Sequence, residues 1–353
     1  MTPGPRAESP EHVQLSLAAA LTLGLKRGRF HRDARLGCLN LLLTYRDGCA
    51  GRCTYCGLAG GRGVGEGGRT FIRVGWPTHP LDRVLLRARR AGARLRRVCV
   101  SMVTHARAFE DAKVVMGRVR DETGLPVSAL IAPTLVRTVW QLRELRESGA
   151  DCVGVAVDAA TEALFARHRG AGVGGPHRWD RYWDVMRKAL GVFGSGKVSV
   201  HLIVGLGETE REMVETIQRV KDLGAVPHLF AFFPEAGSLL EGRPQPPVDR
   251  YRRVQLARHL IAAGGASTGD MTFGEDGRIV DFGVDVAPLL WEGDAFRTSG
   301  CPGRDGETSC NRPYGNERPG GTLYNYPFAP EAEDLEAVAQ ELRGGVCEAC
   351  RPC

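Results

Sequence analysis

The chain has 353 residues, 43% hydrophobic and 25% charged, and its 47 basic and 41 acidic side chains leave a net charge of +6. That composition is typical of a globular, soluble protein, and no apolar run approaches the roughly 18 residues a membrane helix requires. Arg is scattered along helical patterns such as LDRVLLRARRAGARLRR (81–97), so the positive charge reads as solvated helix faces and neither a nucleic-acid nor a membrane partner is expected.

Residues 1–36 read as a Pro-rich tail followed by one helix over about 11–26. The opening MTPGPRAESPEHVQ places Pro and charge where a signal peptide needs an apolar stretch, which points to the cytoplasm. In that compartment clustered cysteines mean metal or redox chemistry more often than disulfides. CLNLLLTYRDG (38–48) reads as a buried strand that leaves into a cysteine-bearing loop, and a short strand-like piece, TFIRVGWP, follows. The pattern then alternates. Helices over 80–92, 108–122, 134–147, 178–192 and 209–223 precede strands over 97–103, 127–132, 151–157, 197–204 and 227–233, and a last helix covers 249–263. In the helix over 209–223, Met213, Ile217, Val220 and Leu223 form one stripe that Gly224 ends.

Apolar strands separated by helix-length stretches describe parallel β/α units. Six such units predict an α/β fold, a partial (β/α)6 barrel of the TIM type; an open doubly wound sheet has the same linear pattern. The divisions are an N-terminal tail and helix (1–36), the barrel (37–265) and a loop-rich, cysteine-containing extension (266–353). Within the extension, STGDMTFGEDGRIVDFG reads as a hairpin, 299–328 as Gly/Pro/Asn-rich loop, and 331–343 as a helix before the tail CEACRPC.

The run CAGRCTYC (49–56) carries Cys49, Cys53 and Cys56. Inert core cysteines belong in apolar strands rather than in a Gly-flanked loop, and zinc favours four ligands in pairs. A [4Fe–4S] cluster held by three thiolates leaves one iron free for another ligand. The loop follows the first barrel strand, and barrel enzymes place their chemistry at the C-terminal ends of strands, which favours the cluster.

The spacing C-x3-C-x2-C, with the aromatic Tyr55 before the third Cys, resembles the radical S-adenosylmethionine (SAM) superfamily. The resemblance implies that SAM chelates the open iron and that one-electron reduction yields a 5′-deoxyadenosyl radical. IVGLGET (203–209) is similar to a strand of the biotin-synthase-like branch, which implies adenine contacts from Ile203, Val204 and Gly205. Asp158 is a candidate for the ribose hydroxyls. Many members end their second strand in a Gly-Gly-Glu-like run, but this chain reads Ser101-Met102-Val103-Thr104-His105, leaving Ser101 as the candidate for the SAM amino group.

Biotin synthase also holds a second cluster on its second, third and fifth strands. Here those strands offer Cys99, Ser128 and Ser199, and one thiolate cannot hold a cluster. Cys301, Cys310, Cys347, Cys350 and Cys353 supply the ligands for either zinc or a second iron–sulfur cluster. The segment SGCPGRDGETSCNRPYGNERPGGTLYNYPF (299–328) resembles the C-terminal region of the two-component lipoyl synthases. That resemblance implies a sulfurtransferase subunit that places sulfur on octanoyl-lysine of a lipoyl-carrier protein. It would act with a homologous radical SAM partner and a ferredoxin- or flavodoxin-like electron donor, and Arg312, Arg318, Tyr324 and Tyr326 are candidates for guiding the acyl-lysine arm. The chain departs from the ordinary single-chain enzyme: nothing in residues 1–36 matches that enzyme's N-terminal cysteine motif, and its C-terminal Arg-Ser-Ser-like motif is missing. A methyltransferase, a mutase, a metallocofactor maturase and a non-catalytic zinc or iron–sulfur scaffold remain open alternatives.

Overall fold

The computed structural model describes residues 7–59, 70–71, 74–315 and 320–344. The chain opens with β1 (His12–Leu15) and α1 (Leu17–Thr22), then enters β2 (Cys38–Leu43). The short β3 (Thr70–Phe71) and β4 (Val74–Gly75) pair with each other and lead to β5 (Thr78–Pro80) and α2 (Leu81–Ala91). Regular alternation follows: β6 (Arg97–Ser101), α3 (Ala108–Thr123), β7 (Val127–Ile131), α4 (Val139–Glu147), β8 (Ala150–Asp158), α5 (Glu162–His168), α6 (Trp179–Phe193), β9 (Val198–Val204), α7 (Glu210–Asp222), β10 (Val226–Ala231) and α8 (Val248–Ala263). A hairpin of β11 (Thr272–Phe273) and β12 (Ile279–Asp281), then α9 (Ala287–Glu292) and α10 (Ala332–Gly344), complete the described chain.

The sheet order is β10-β9-β8-β7-β6-β2-β1-β5. From β2 to β10 all six strands are parallel and adjacent in chain order. A doubly wound sheet reverses its strand order at a switch point, and no reversal occurs here. The fold is therefore the singly wound, partial-barrel form of an α/β protein. Helices cover its outside through apolar stripes, as where Met213, Val214, Ile217 and Val220 of α7 are all buried. Gly224, at φ +87°, ends that helix in a conformation L side chains rarely adopt.

The expected N-terminal helix over 11–26 is corrected. His12 and Gln14 are half-exposed while Val13 and Leu15 are fully buried, a period of two that pairs β1 antiparallel with β2 and β5. Helix begins only after Ser16, whose side chain accepts from the Ala19 amide. The segment assigned to the tail thus belongs to the barrel's own sheet. The helix expected from 134 starts at Val139, because Thr138 and Gln141 form a capping box there. Helices α5 and α9 have no counterpart in the sequence reading.

Along each parallel strand the interior positions are more polar than the apolar runs imply. Asn40, Ser101, Ser128, Ser199, His201 and His228 all face the barrel's cavities. The large aliphatic side chains at alternate positions, such as Leu39, Leu41, Val98, Val100, Val200 and Leu202, form the core beneath the helices.

Candidate active site

The thiol loop leaves β2 through Tyr45, whose hydroxyl donates to Asp111 Oδ2 (2.8 Å) and whose ring stacks on His105 at 3.7 Å. The loop is then pinned to two neighbours by three contacts. The Ala50 amide donates to Thr104 O beyond β6 (2.8 Å), the Thr54 amide donates to His168 O on α5 (2.8 Å), and Thr54 Oγ1 lies 2.9 Å from His168 Nδ1. The far nitrogen of His168 meets Leu206 O (3.0 Å) in the turn after β9. One histidine therefore ties the cysteine loop to the glycine-rich end of the fifth parallel strand. Gly51 is required by close approach: a Cβ there would lie 3.1 Å from His177 Nε2 and 3.2 Å from Cys49 Sγ.

Cys49, Cys53 and Cys56 all line one cavity of about 530 Å³ at the C-terminal ends of the strands. Backbone amides already aim at their sulfurs: Gly51 and Thr104 at Cys49 (3.3 Å each), and Leu58 at Cys56 (3.4 Å). Burial pushes the Cys53 and Cys56 thiols up, so forming the thiolates that bind metal needs a cation nearby. Among the described residues no three His, Cys, Asp or Glu side chains stand close enough to share one ion. A cubane distributes its three thiolates over three irons, so amide-supported thiols spread around one cavity suit a cluster better than a single zinc.

The cofactor candidates fall around the same space. Tyr55, Ser101, Asp158 and Ile203 line it. Asp158 sits at φ +66°, after a register shift in β8, and its Oδ2 accepts from Tyr55 Oη (2.5 Å) and Arg169 Nη1 (2.7 Å). The carboxylate is thus oriented by two partners from different elements, and burial pushes the Tyr55 phenol well up. Val204 points the other way, into the core. Gly205 (φ +111°) and Gly207 (φ +125°) form a turn whose amides, with that of Leu206, donate to the buried Glu208 carboxylate at 2.7, 3.1 and 3.0 Å. Those amides serve the turn itself, and Arg250 closes the other side of Glu208 at 3.1 Å.

Several site residues were missed in the sequence. His168, Arg169 and Glu208 orient the loop, the acid and the turn. His177 lies beneath the loop, with Nδ1 2.7 Å from Thr134 Oγ1 and 2.9 Å from Tyr182 Oη, and burial beside Arg169 pushes its pKa down to about 3. Polar residues at alternate positions inside otherwise apolar strands were the available signal for the barrel interior.

The floor of the barrel departs furthest from the sequence reading. Cys99 is not alone there: Cys38 at the start of β2 and Cys310 pack with it as one buried group, and Cys301 borders them. The extension delivers the last two by running under the barrel. Arg97 Nε donates to Pro302 O (2.5 Å), Ser309 Oγ to Gly37 O (3.0 Å), and the Gly37 amide to Asn311 Oδ1 (3.2 Å). A hydrogen bond from Cys38, reinforced by Arg312, pulls the Cys310 thiol down.

Of the substrate candidates, Arg312 lines both cavities. Tyr324 and Tyr326 are corrected to structural roles. Tyr324 Oη donates to Pro246 O (2.7 Å), Tyr326 is buried with its backbone paired to Phe296 and Thr298, and neither lines the two cavities. Arg318, Cys347, Cys350 and Cys353 lie outside the described residues.

The profile of the Radical SAM superfamily matches residues 44–220, half of the chain, and spans the thiol loop and the turn after β9. No curated protein sequence matches. Among solved structures, methylornithine synthase (PylB) is similar with a TM-score of 0.50 at 14% identity, over 93% of this chain and 86% of that one. HydG, a maturase of the [FeFe]-hydrogenase, is similar with a TM-score of 0.48 at 14% identity, over 70% of this chain and 54% of that one. The radical SAM methyltransferase TsrM from Kitasatospora setae has a TM-score of 0.42 at 14% identity, over 88% of this chain and 62% of that one. At such identities the likeness is one of fold.

Proposed function

The chain belongs to the radical SAM superfamily, and from that premise we propose that it is a sulfur-inserting enzyme, one subunit of a two-component lipoyl synthase. Its substrate in this reading is octanoyl-lysine on a lipoyl-carrier protein, and its partners are a homologous radical SAM subunit and a ferredoxin- or flavodoxin-like donor. The observation that carries the proposal is the shape of the cavity. The space under Cys49, Cys53 and Cys56 is walled by Leu17, Leu21, Phe30, Leu42, Trp76 and Phe232. Its volume of about 530 Å³ falls within the range of small-molecule sites, roughly 300–1,000 Å³. Apolar walls suit an alkyl chain whose C–H bonds offer no acidic proton, so a side-chain base has nothing to remove.

When bound, the cluster and SAM supply a radical able to take hydrogen from such a bond. The protein's share is placement. Cys49, Cys53 and Cys56 would hold the cluster, and Tyr55 and Arg169, which orient Asp158, would ready that carboxylate for the ribose. Ile203 and the turn at Gly205 would serve the adenine, and Ser101 the amino group. The resemblance had added Val204 to the adenine contacts; its place in the core leaves it to support the strand. The apolar walls exclude water and competing hydrogen donors. Sulfur in this reading comes from a second iron–sulfur cluster.

Incubating the reconstituted protein with SAM, dithionite and an octanoylated peptide, with and without the homologous partner, tests the reading. Octanoyl-dependent stimulation of 5′-deoxyadenosine formation and a thiolated peptide are expected. Deoxyadenosine formed without either would remove the lipoyl assignment and leave family membership untouched.

A further inference from the structure

Four cysteines from three distant stretches of chain meet at the opposite end of the barrel from the thiol loop. Cys38 opens β2, Cys99 lies inside β6, and Cys301 and Cys310 arrive on the extension. All four are free thiols. Buried free cysteines ordinarily behave as small hydrophobes in apolar surroundings, but these are ringed by polar groups. Asn40 Nδ2 points at Cys310 Sγ from 3.8 Å. A small cavity bounded by Cys99, Cys301 and Cys310 is also lined by Ser128, Ser199, His201, His228 and Arg312.

Arg312 is the second, independent observation. It sits at φ +37°, and its guanidinium lies over the Phe230 ring at 4.3 Å. It lines the small cavity together with Cys99, Cys301 and Cys310. A guanidinium in that place is a counter-charge for thiolates whose buried charge would otherwise be uncompensated.

We propose that Cys38, Cys99, Cys301 and Cys310 bind a second iron–sulfur cluster on the barrel floor, with Arg312 beside it as counter-charge. Four thiolates complete the ligand set of such a cluster. Four thiolates also suit zinc, so metal content decides between the two. The assignment replaces the C-terminal Cys347, Cys350 and Cys353 as ligands with Cys38 and Cys99. The large cavity, which Arg312 also lines, then separates the two clusters along the barrel axis, with the three loop thiols at the far wall. The site's existence does not depend on lipoyl chemistry; only its use as a sulfur source rests on that reading.

Anaerobic iron and sulfide counts, with electron paramagnetic resonance after dithionite reduction with and without SAM, test the site on the full chain. Wild type is expected to hold two to four irons beyond the roughly four of the loop cluster. A Cys49→Ala/Cys53→Ala/Cys56→Ala variant should keep that extra iron and give a signal that SAM does not shift. A Cys38→Ser/Cys310→Ser variant should lose the extra iron and keep about four with a SAM-sensitive signal, which also shows that its barrel is folded. A Cys347→Ala/Cys350→Ala/Cys353→Ala variant should match wild type. Wild type with only about four irons would overturn the proposal. So would loss of all iron from the loop variant, stoichiometric zinc, or extra iron lost from the tail variant rather than the floor variant. A confirmed floor cluster in a protein that leaves octanoyl peptides untouched would sink the lipoyl reading alone.

Discussion

At the scale of single residues, the site depends on groups that orient other groups. His168 joins loop and turn, Arg169 and Tyr55 hold Asp158, and Glu208 gathers three amides of the glycine turn. His177 yields a prediction in pH. Its folded pKa, about 3, lies below the unfolded value of 6.5, because burial and Arg169 disfavour the charged ring. The unfolded chain therefore binds the proton first as pH falls. The histidine's contribution is fully present above pH 6.5 and is lost progressively down to about pH 3. Between pH 7 and 5 the loss is about 2 kcal/mol from this one group. Urea unfolding at several pH values should show a shallower acid slope for His177→Gln than for wild type by about that amount. An unchanged slope would mean that His177 is protonated in the folded protein.

At the scale of elements, the best-determined piece is α7 and its cap. Thr209 Oγ1 accepts from the Glu212 amide at 3.1 Å while Glu212 Oε2 accepts from the Thr209 amide at 2.7 Å. Removing the cap with Thr209→Ala is expected to cost ~1 kcal/mol in denaturant unfolding, with Thr209→Ser close to wild type. The start of this helix, its stripe and its stop were all legible, because cap, period and terminating glycine act over a few residues. Helix α5 was not: its seven residues are too short to show a period, though Thr161 caps it at the Leu164 amide. The stretch from His12 to Leu15 was misread as helix because β1 has only four residues, and its alternation becomes decisive only when β2 and β5 pair with it.

At the scale of the whole molecule, the extension acts as a floor and a brace. Arg252 of α8 is fully buried. It donates to Tyr324 O (2.8 Å), Leu323 O (2.5 Å), Gln255 Oε1 (2.9 Å) and Glu341 Oε2 (2.8 Å). One side chain thus holds two separate parts of the extension against the barrel. Arg252→Ala leaves buried carbonyls and a carboxylate without their cation, and an expected loss of about 3–5 kcal/mol follows. Limited proteolysis should then cut faster within residues 320–344 while the barrel stays intact. Arg252→Lys should not restore protection, because an ammonium lacks the planar fork that reaches several acceptors at once. Equal protease resistance in wild type and Arg252→Ala would show that other contacts hold the extension.

By itself the sequence determined the periodic and the local features. Six apolar strands alternating with amphipathic helices, a glycine turn with its cap, and three thiols within eight residues each depend on neighbours only a few positions away. Only the tertiary structure decided the barrel's direction of winding, the union of β1 with the main sheet and the meeting of Cys38, Cys99, Cys301 and Cys310. Those outcomes depend on which distant segments share a layer. Spacing along the chain carries no signal that residue 310 will lie against residue 38, because that meeting follows from where the extension can satisfy the exposed backbone and polar interior at the open base of the barrel.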